Sequence, residues 1–250
     1  MKLQKLLSYV RQAVDDYNMI EDGDKIAVGV SGGKDSISML VALAEMRKFY
    51  PKKYEIEAIS VSLGFDGTDF SGISKLCENL NVNYTVVNTQ IGQIVFEERK
   101  EDNPCSLCAK MRKGALNNNA DELGCNKVAL GHNKDDVIET FLMSLIFEGR
   151  INCFSPVSFL KRKNLYSIRP LIYVSECEVK SFIKTISTEI IKNPCPANGN
   201  TKRQEIKELL ETLNKTYPNL SQKIFGAIHR GLEDWKIDSE VLKNVKGNIP

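Results

Sequence analysis

The sequence predicts an α/β fold: a parallel, Rossmann-like sheet with helices on both faces. Three observations predict it. Short apolar, β-rich runs recur along the chain, and each is followed by a segment with helical spacing. The first such run ends in glycines where strand passes into helix. The chain of 250 residues, 42% hydrophobic and 26% charged, is long enough to bury the core of one large domain. Strand–helix alternation closes as a parallel sheet, and ligands of such folds sit beyond the carboxyl ends of the strands.

Residues 1–22 are expected to form an N-terminal amphipathic helix, because Leu3, Leu6, Leu7, Val10, Ala13, Val14 and Tyr17 follow helical spacing. This segment lacks the unbroken apolar core of a signal peptide, and no run approaches the length of a membrane span. A cytoplasmic address without a membrane partner is therefore expected. In that reducing compartment seven cysteines, an odd number, do not suggest a disulfide framework.

The main domain is expected over 23–215. "KIAVGV" (25–30) is its first strand and "SISMLVALAEMRKFY" the helix after it. "YEIEAISVSL" (54–63) is the second strand, 71–80 a helix, and "VNYTVVNT" (82–89) the third strand. An inserted loop bearing a C-x-x-C follows, then a helix through about Leu123. "NKVALGH" (126–132) and "DDVIETFLMSLIFEG" form the next strand and helix. "NLYSIRPLIYV" is a last extended stretch before a helix from about Ser175. Residues 216–250 read as a helix and a polar tail with the only tryptophan, Trp235. A net charge of +2 means that any nucleic-acid footprint is local.

"VGVSGGKDS" (28–36) joins a buried strand to a helix. Gly32 and Gly33 let the backbone approach a ligand, the helix offers free N–H groups to phosphate, and Lys34, Ser31 and Ser36 add donors. The Walker A template does not fit, since Asp35 separates Lys34 from Ser36. The loop resembles the PP-loop of the N-type ATP pyrophosphatases, whose fold is the adenine nucleotide alpha hydrolase-like variant of the Rossmann sheet. That resemblance implies cleavage of ATP between its α and β phosphates, with Ser31, Gly32, Gly33, Lys34, Asp35 and Ser36 at the nucleotide and Lys34, Asp35 and Asp136 in catalytic roles.

"LGHNKDDVIET" (130–140) strengthens the resemblance. Asp135 and Asp136 open a helix near the carboxyl edge of the sheet, where two carboxylates suit a Mg²⁺ ion; one is expected to cap the helix and Asp136 to be the functional one, and the resemblance implies Asp35 beside it at Mg²⁺. The resemblance adds Gly131 and His132 as nucleotide contacts. In "SIRPL" (167–171), Arg169 at a strand end is expected to meet a phosphate of ATP or RNA.

Cys77, Cys125, Cys153 and Cys177 lie alone in helix- or strand-like segments, where a small buried hydrophobe is expected. Cys105, Cys108 and Cys195 instead sit among Pro, Asn and Gly, with "NPC" at 103–105 and again at 193–195. Zinc, a redox dithiol and an iron–sulfur cluster are the readings to weigh. A structural zinc site wants four ligands, and a thioredoxin-type pair opens a helix directly after a strand; three thiolates with an open position suit a cluster with one free iron better.

"CSLCAKMRKGAL", "GHNKDD", "RPL" and the later "PC" together resemble the tRNA 2-thiocytidine synthetase group over roughly residues 20 to 215. The resemblance implies a [4Fe–4S] cluster on Cys105, Cys108 and Cys195. It also implies ATP with Mg²⁺, a tRNA substrate, a cysteine desulfurase or sulfide as sulfur donor, and a homodimer. One departure is visible: Asn198 stands where many relatives complete a second C-x-x-C. RNA contacts are expected from Lys110, Arg112 and Lys113, from Lys202 and Arg203, and from the run Lys161, Arg162, Lys163. A cluster enzyme acting on a small molecule, or on another tRNA base, is the alternative reading, and a nucleotide sensor the third.

Overall fold

The computed structural model describes residues 1–65, 67–99, 104–186 and 202–237. Helix α1 (Leu3–Asp16) leads to β1 (Asp24–Gly29), α2 (Lys34–Met46), β2 (Tyr54–Ser62), α3 (Ser71–Asn79) and β3 (Asn83–Asn88). A short α4 (Ile91–Gln93) runs into a π-helical turn (Ile94–Arg99), followed by α5 (Pro104–Glu122), β4 (Lys127–Ala129) and α6 (Lys134–Glu148). A hairpin of β5 (Val157–Leu160) and β6 (Leu165–Ile168) precedes α7 (Glu176–Ile183), α8 (Lys202–Thr216) and α9 (Leu220–Gly231).

The six strands form one sheet in the order β3-β2-β1-β4-β6-β5. Neighbours are parallel except β5, which is antiparallel to β6. The chain winds outward in one direction from β1 and restarts on its other side with β4. That reversal opens a crevice beyond the carboxyl ends of β1 and β4. Ile26, Ala27 and Val28 of β1 are fully buried, as a strand covered on both faces requires. Leu6, Val10, Ala13 and Val14 carry α1 into the same core with no exposed surface.

Four expectations need correcting. The C-x-x-C is not on a loop: Pro104, Cys105 and Cys108 open α5, with proline at a first-turn position where its missing N–H costs nothing. The stretch 164–174 is not extended throughout, because β6 ends at Ile168 and residues 170–173 turn. The parallel sheet carries an antiparallel edge strand, β5, and the basic run 161–163 forms the turn of its hairpin. Cys177 is exposed rather than buried. Helix α8 has no counterpart among the expected elements.

Trp235 is fully buried. Its ring meets Tyr17 and Phe225 edge-on at 6.0 and 5.8 Å, and its Nε1–H donates to the Phe154 carbonyl at 3.2 Å. No described helix is long and apolar enough to cross a membrane.

Candidate active site

The glycine loop lies between the end of β1 and the start of α2. Gly32 has φ +80, a left-handed conformation that glycine alone adopts without strain. Gly33 is the N-cap of α2 and offers no side-chain cap, so the first N–H groups of the helix stay open to an anion. Ser36 is buried and locks the turn: its Oγ accepts from the Ser31 N–H at 3.1 Å and donates to the Gly33 carbonyl at 2.9 Å. Ser31 is exposed, and its Oγ lies 3.2 Å from Ser36 Oγ at the mouth of the turn. A Cβ on Gly131 would come within 3.1 Å of Ser36 N and 3.2 Å of the Asp35 carbonyl carbon. Gly131 therefore lets the β4 loop lie directly against the start of α2.

Charge converges on this loop from three helices. Lys34 Nζ bonds Asp35 Oδ2 at 2.9 Å and Glu176 Oε1 at 3.0 Å. Burial alone would lower the Lys34 ammonium, but Asp35 and Glu176 outweigh it and raise its pKa. Burial likewise pushes Glu176 up, yet Lys34, Lys207 and Lys180 bring it down to about 2.

Asn133, the N-cap of α6, accepts from the N–H groups of Asp135 and Asp136 at 2.9 and 3.1 Å, and its Nδ2 donates to Asp35 Oδ1 at 2.8 Å. Asp136 completes the capping box by accepting from Asn133 N at 2.9 Å. Asp135 accepts from Glu176 N at 2.6 Å. The expected division is thus revised: Asn133 is the cap, and Asp136 belongs to the capping box while facing Asp35. Burial first, and then the Asp35 charge, push the Asp136 carboxyl up against the opposing Asn133 N–H and Arg203.

A cavity of about 610 Å³ opens at these strand ends. Ile59, Val61, Leu63, Phe65, Phe70 and Leu130 give it an apolar end, and Ser31, Gly33, Asp35, Ser36 and His132 a polar one. Its remaining wall is α5, through Ala109, Arg112, Lys113 and Leu116. These positions lie three, four and seven residues apart, one helical face. Cys105 lies four residues before Ala109 and Cys108 four before Arg112, so the thiols occupy the turn next to the cavity wall. Cys105 is exposed, and Cys108 is buried against Ile91 and Val95. None of the described cysteines forms a disulfide. Burial pushes the Cys77, Cys125 and Cys153 thiols up to about 11, 11 and 12, which suits inert core groups.

His132 stacks on Phe154 with ring centroids 4.8 Å apart, and its buried Nδ1 has no hydrogen-bond partner among the described residues. Burial, reinforced by the charges of Arg169, Arg203 and Lys113, lowers its pKa to about 3. The ring is neutral at physiological pH.

The expected basic residues separate. Lys110 and Lys202 are exposed, and Lys202 lies over the Phe147 ring at 4.8 Å. Arg112 and Lys113 face the cavity. Arg169 is only 5% exposed and donates to the Ser155 carbonyl and to Ser158 Oγ, which fixes the approach to β5. Arg203 is held by Asp136 Oδ1 at 3.2 Å and Glu139 Oε2 at 3.0 Å. Cys195 lies outside the described residues.

A family model described as a PP-loop domain matches residues 3–213. The chain belongs to the PP-loop family. It is 33% identical, over 96% of its length and 86% of the relative's, to a tRNA-cytidine(32) 2-sulfurtransferase of Dechloromonas aromatica. It is 36% identical, over 96% of its length and 90% of the relative's, to the protein of that name from Dichelobacter nodosus. Among solved structures it is similar to the U34-tRNA thiolase NcsA from Methanococcus maripaludis with its [4Fe-4S] cluster, at TM-score 0.74 and 25% identity over 98% of this chain and 87% of that one. An NH3-dependent NAD synthetase from Campylobacter jejuni shares the fold, at TM-score 0.51 and 17% identity over 96% and 98% of the two chains.

Within this PP-loop site, sequence reasoning missed Asn133, Glu139, Glu176 and Lys207. Asn133 had a signal, since N-x-x-D before an apolar run marks a capping box. The others come from three separate helices, and nothing in their local sequence marks them.

Proposed function

We propose that this protein is an ATP-dependent tRNA sulfurtransferase that replaces the C2 oxygen of a cytidine with sulfur. The observation that carries this reading is the shared helix. Face residues of α5 line the nucleotide cavity, and Cys105 and Cys108 sit on the turn beside it.

The PP-loop N–H groups, Ser31 and Lys34 receive the ATP phosphates, while the apolar end of the cavity takes the base. Asp35 and Asp136 would hold Mg²⁺; a carboxylate pair in which burial and mutual charge raise one member fits a divalent cation, which relieves both. Neutral His132 cannot serve as a general acid near pH 7, but its ring lines the cavity and can contact the nucleotide or the cytidine. Arg112 and Lys113 stabilise charge that develops on the α-phosphate, and exposed Lys110 and Lys202 hold the RNA.

The cytidine C2 oxygen attacks the α-phosphorus and pyrophosphate leaves. A sulfur nucleophile then adds at C2, and the oxygen departs with AMP. Cys105, Cys108 and Cys195 would hold the [4Fe–4S] cluster, and two thiols three residues apart on one helical face fit two of its corners. When bound, the cluster supplies sulfur shielded from water. The sulfur comes from sulfide, or from a cysteine desulfurase persulfide that a thiol reductant brings to the sulfide level.

Mass spectrometry of tRNA nucleosides from a deletion strain tests the reading. Loss of 2-thiocytidine, restored by the wild-type gene and not by Cys105→Ala, is expected. Unchanged 2-thiocytidine would refute it.

A further inference from the structure

We propose that Arg203 and Lys207 of α8 are positioning residues: they hold the metal-side carboxylate and the phosphate lysine in an unloaded arrangement that magnesium–ATP opens. The inference rests on the assignment of Asp35 and Asp136 to the metal. Arg203 Nη1 reaches Asp136 Oδ1 at 3.2 Å and Glu139 Oε2 at 3.0 Å, and its Nη2 donates to Thr140 Oγ1 at 3.2 Å. One turn further along α8, Lys207 Nζ lies 3.6 Å from Glu139 Oε1 and 3.3 Å from Glu176 Oε2. The other oxygen of Glu176 holds Lys34 of the PP-loop at 3.0 Å. An unbroken chain of ion pairs thus runs from α8 through α6 and α7 to the nucleotide loop.

The geometry separates an anchor from a latch. Glu139 is only 2% exposed, and Arg203 and Lys207 neutralise it there, which would suffice to dock α8. Arg203 goes further and takes Asp136 Oδ1, the oxygen that the capping box leaves open. A guanidinium on that oxygen and a divalent ion on the same carboxylate repel one another. Loading the site therefore favours release of Arg203 from Asp136 while Glu139 and Thr140 keep it nearby. On the other side, Lys34 turns from Glu176 to the phosphates, and Glu176 retains Lys180 and Lys207. Helix α8 opens at residue 202, seven positions after Cys195 in sequence.

The test uses the full chain and measures ATP affinity against Mg²⁺ concentration by calorimetry, with hydrogen exchange of the start of α8 as second readout. Arg203→Gln is expected to lower the Mg²⁺ midpoint about fivefold or more, and Arg203→Lys to restore it towards wild type. In wild type, magnesium–ATP is expected to speed exchange in the first turns of α8; in Arg203→Gln exchange is already fast and does not respond. Equal midpoints in wild type and Arg203→Gln would overturn the latch, as would slower α8 exchange in loaded wild type. The wild-type exchange measurement stands even if Arg203→Gln folds poorly. An Asp136→Asn midpoint equal to wild type would overturn the metal assignment itself, and the latch with it.

Discussion

His132 offers the sharpest quantitative test of the site. Its imidazole packs on Phe154, its buried Nδ1 has no partner among the described residues, and its pKa falls from 6.5 to about 3. The unfolded chain therefore binds a proton at a pH where the folded protein does not, so stability declines as pH drops below about 6.5 and the decline from this group ends near pH 3. Between pH 7.5 and 5.0 this one side chain costs about 2 kcal/mol, at roughly 1.4 kcal/mol per pH unit. His132→Phe keeps the ring stacking and removes the titration. Urea unfolding at the two pH values should show the variant losing about 2 kcal/mol less than wild type, with unchanged m-values. Only one other histidine, His229, is present, so ring-carbon NMR of wild type and a His229 variant assigns the signal directly. A His132 resonance that titrates near 6.5, or equal acid losses in both proteins, would refute the buried neutral imidazole.

Other consequences follow from single contacts. Cys105→Ser and Cys108→Ser should lose iron on anaerobic purification, whereas Cys153→Ser should keep it, because that thiol is buried and donates to the Val137 carbonyl; iron counting checks both. Gly131→Ala puts a methyl against the Asp35–Ser36 backbone and should cost about 1–3 kcal/mol while weakening ATP binding, read by thermal melts and calorimetry. Trp235→Ala should cost about 3–5 kcal/mol in urea unfolding, since the ring is fully buried among Tyr17 and Phe225.

The parts legible in the sequence were those with a local signature. β1 carries the apolar run Ile26–Val28, buried on both faces, β2 is rich in β-branched and apolar residues, and the PP-loop carries its own glycines. The edge strand β5 was not legible, because Phe159 is exposed and a basic turn follows it. The C-x-x-C flanks, rich in Pro and Asn, suggested a loop, although Pro104 instead starts a helix. The protein partners of Arg169 and Arg203 were not legible, because long-range packing buries one beside β5 and pairs the other with two carboxylates. Trp235 had no nameable role until α9 brought it to α1.

What joins the two halves of the chemistry is the pitch of α5. From Cys105 to Arg112 is seven residues, two turns, so the first thiol and the cavity-lining guanidinium share a face about 10 Å apart along the axis. In the proposed reaction the C2 oxygen is activated at the α-phosphate and sulfur then attacks C2, two events that must follow quickly before water intervenes. A rigid helix fixes that separation, as a loop could not. Cys105 and Cys108, together with Arg112 and Lys113, are all carried by α5.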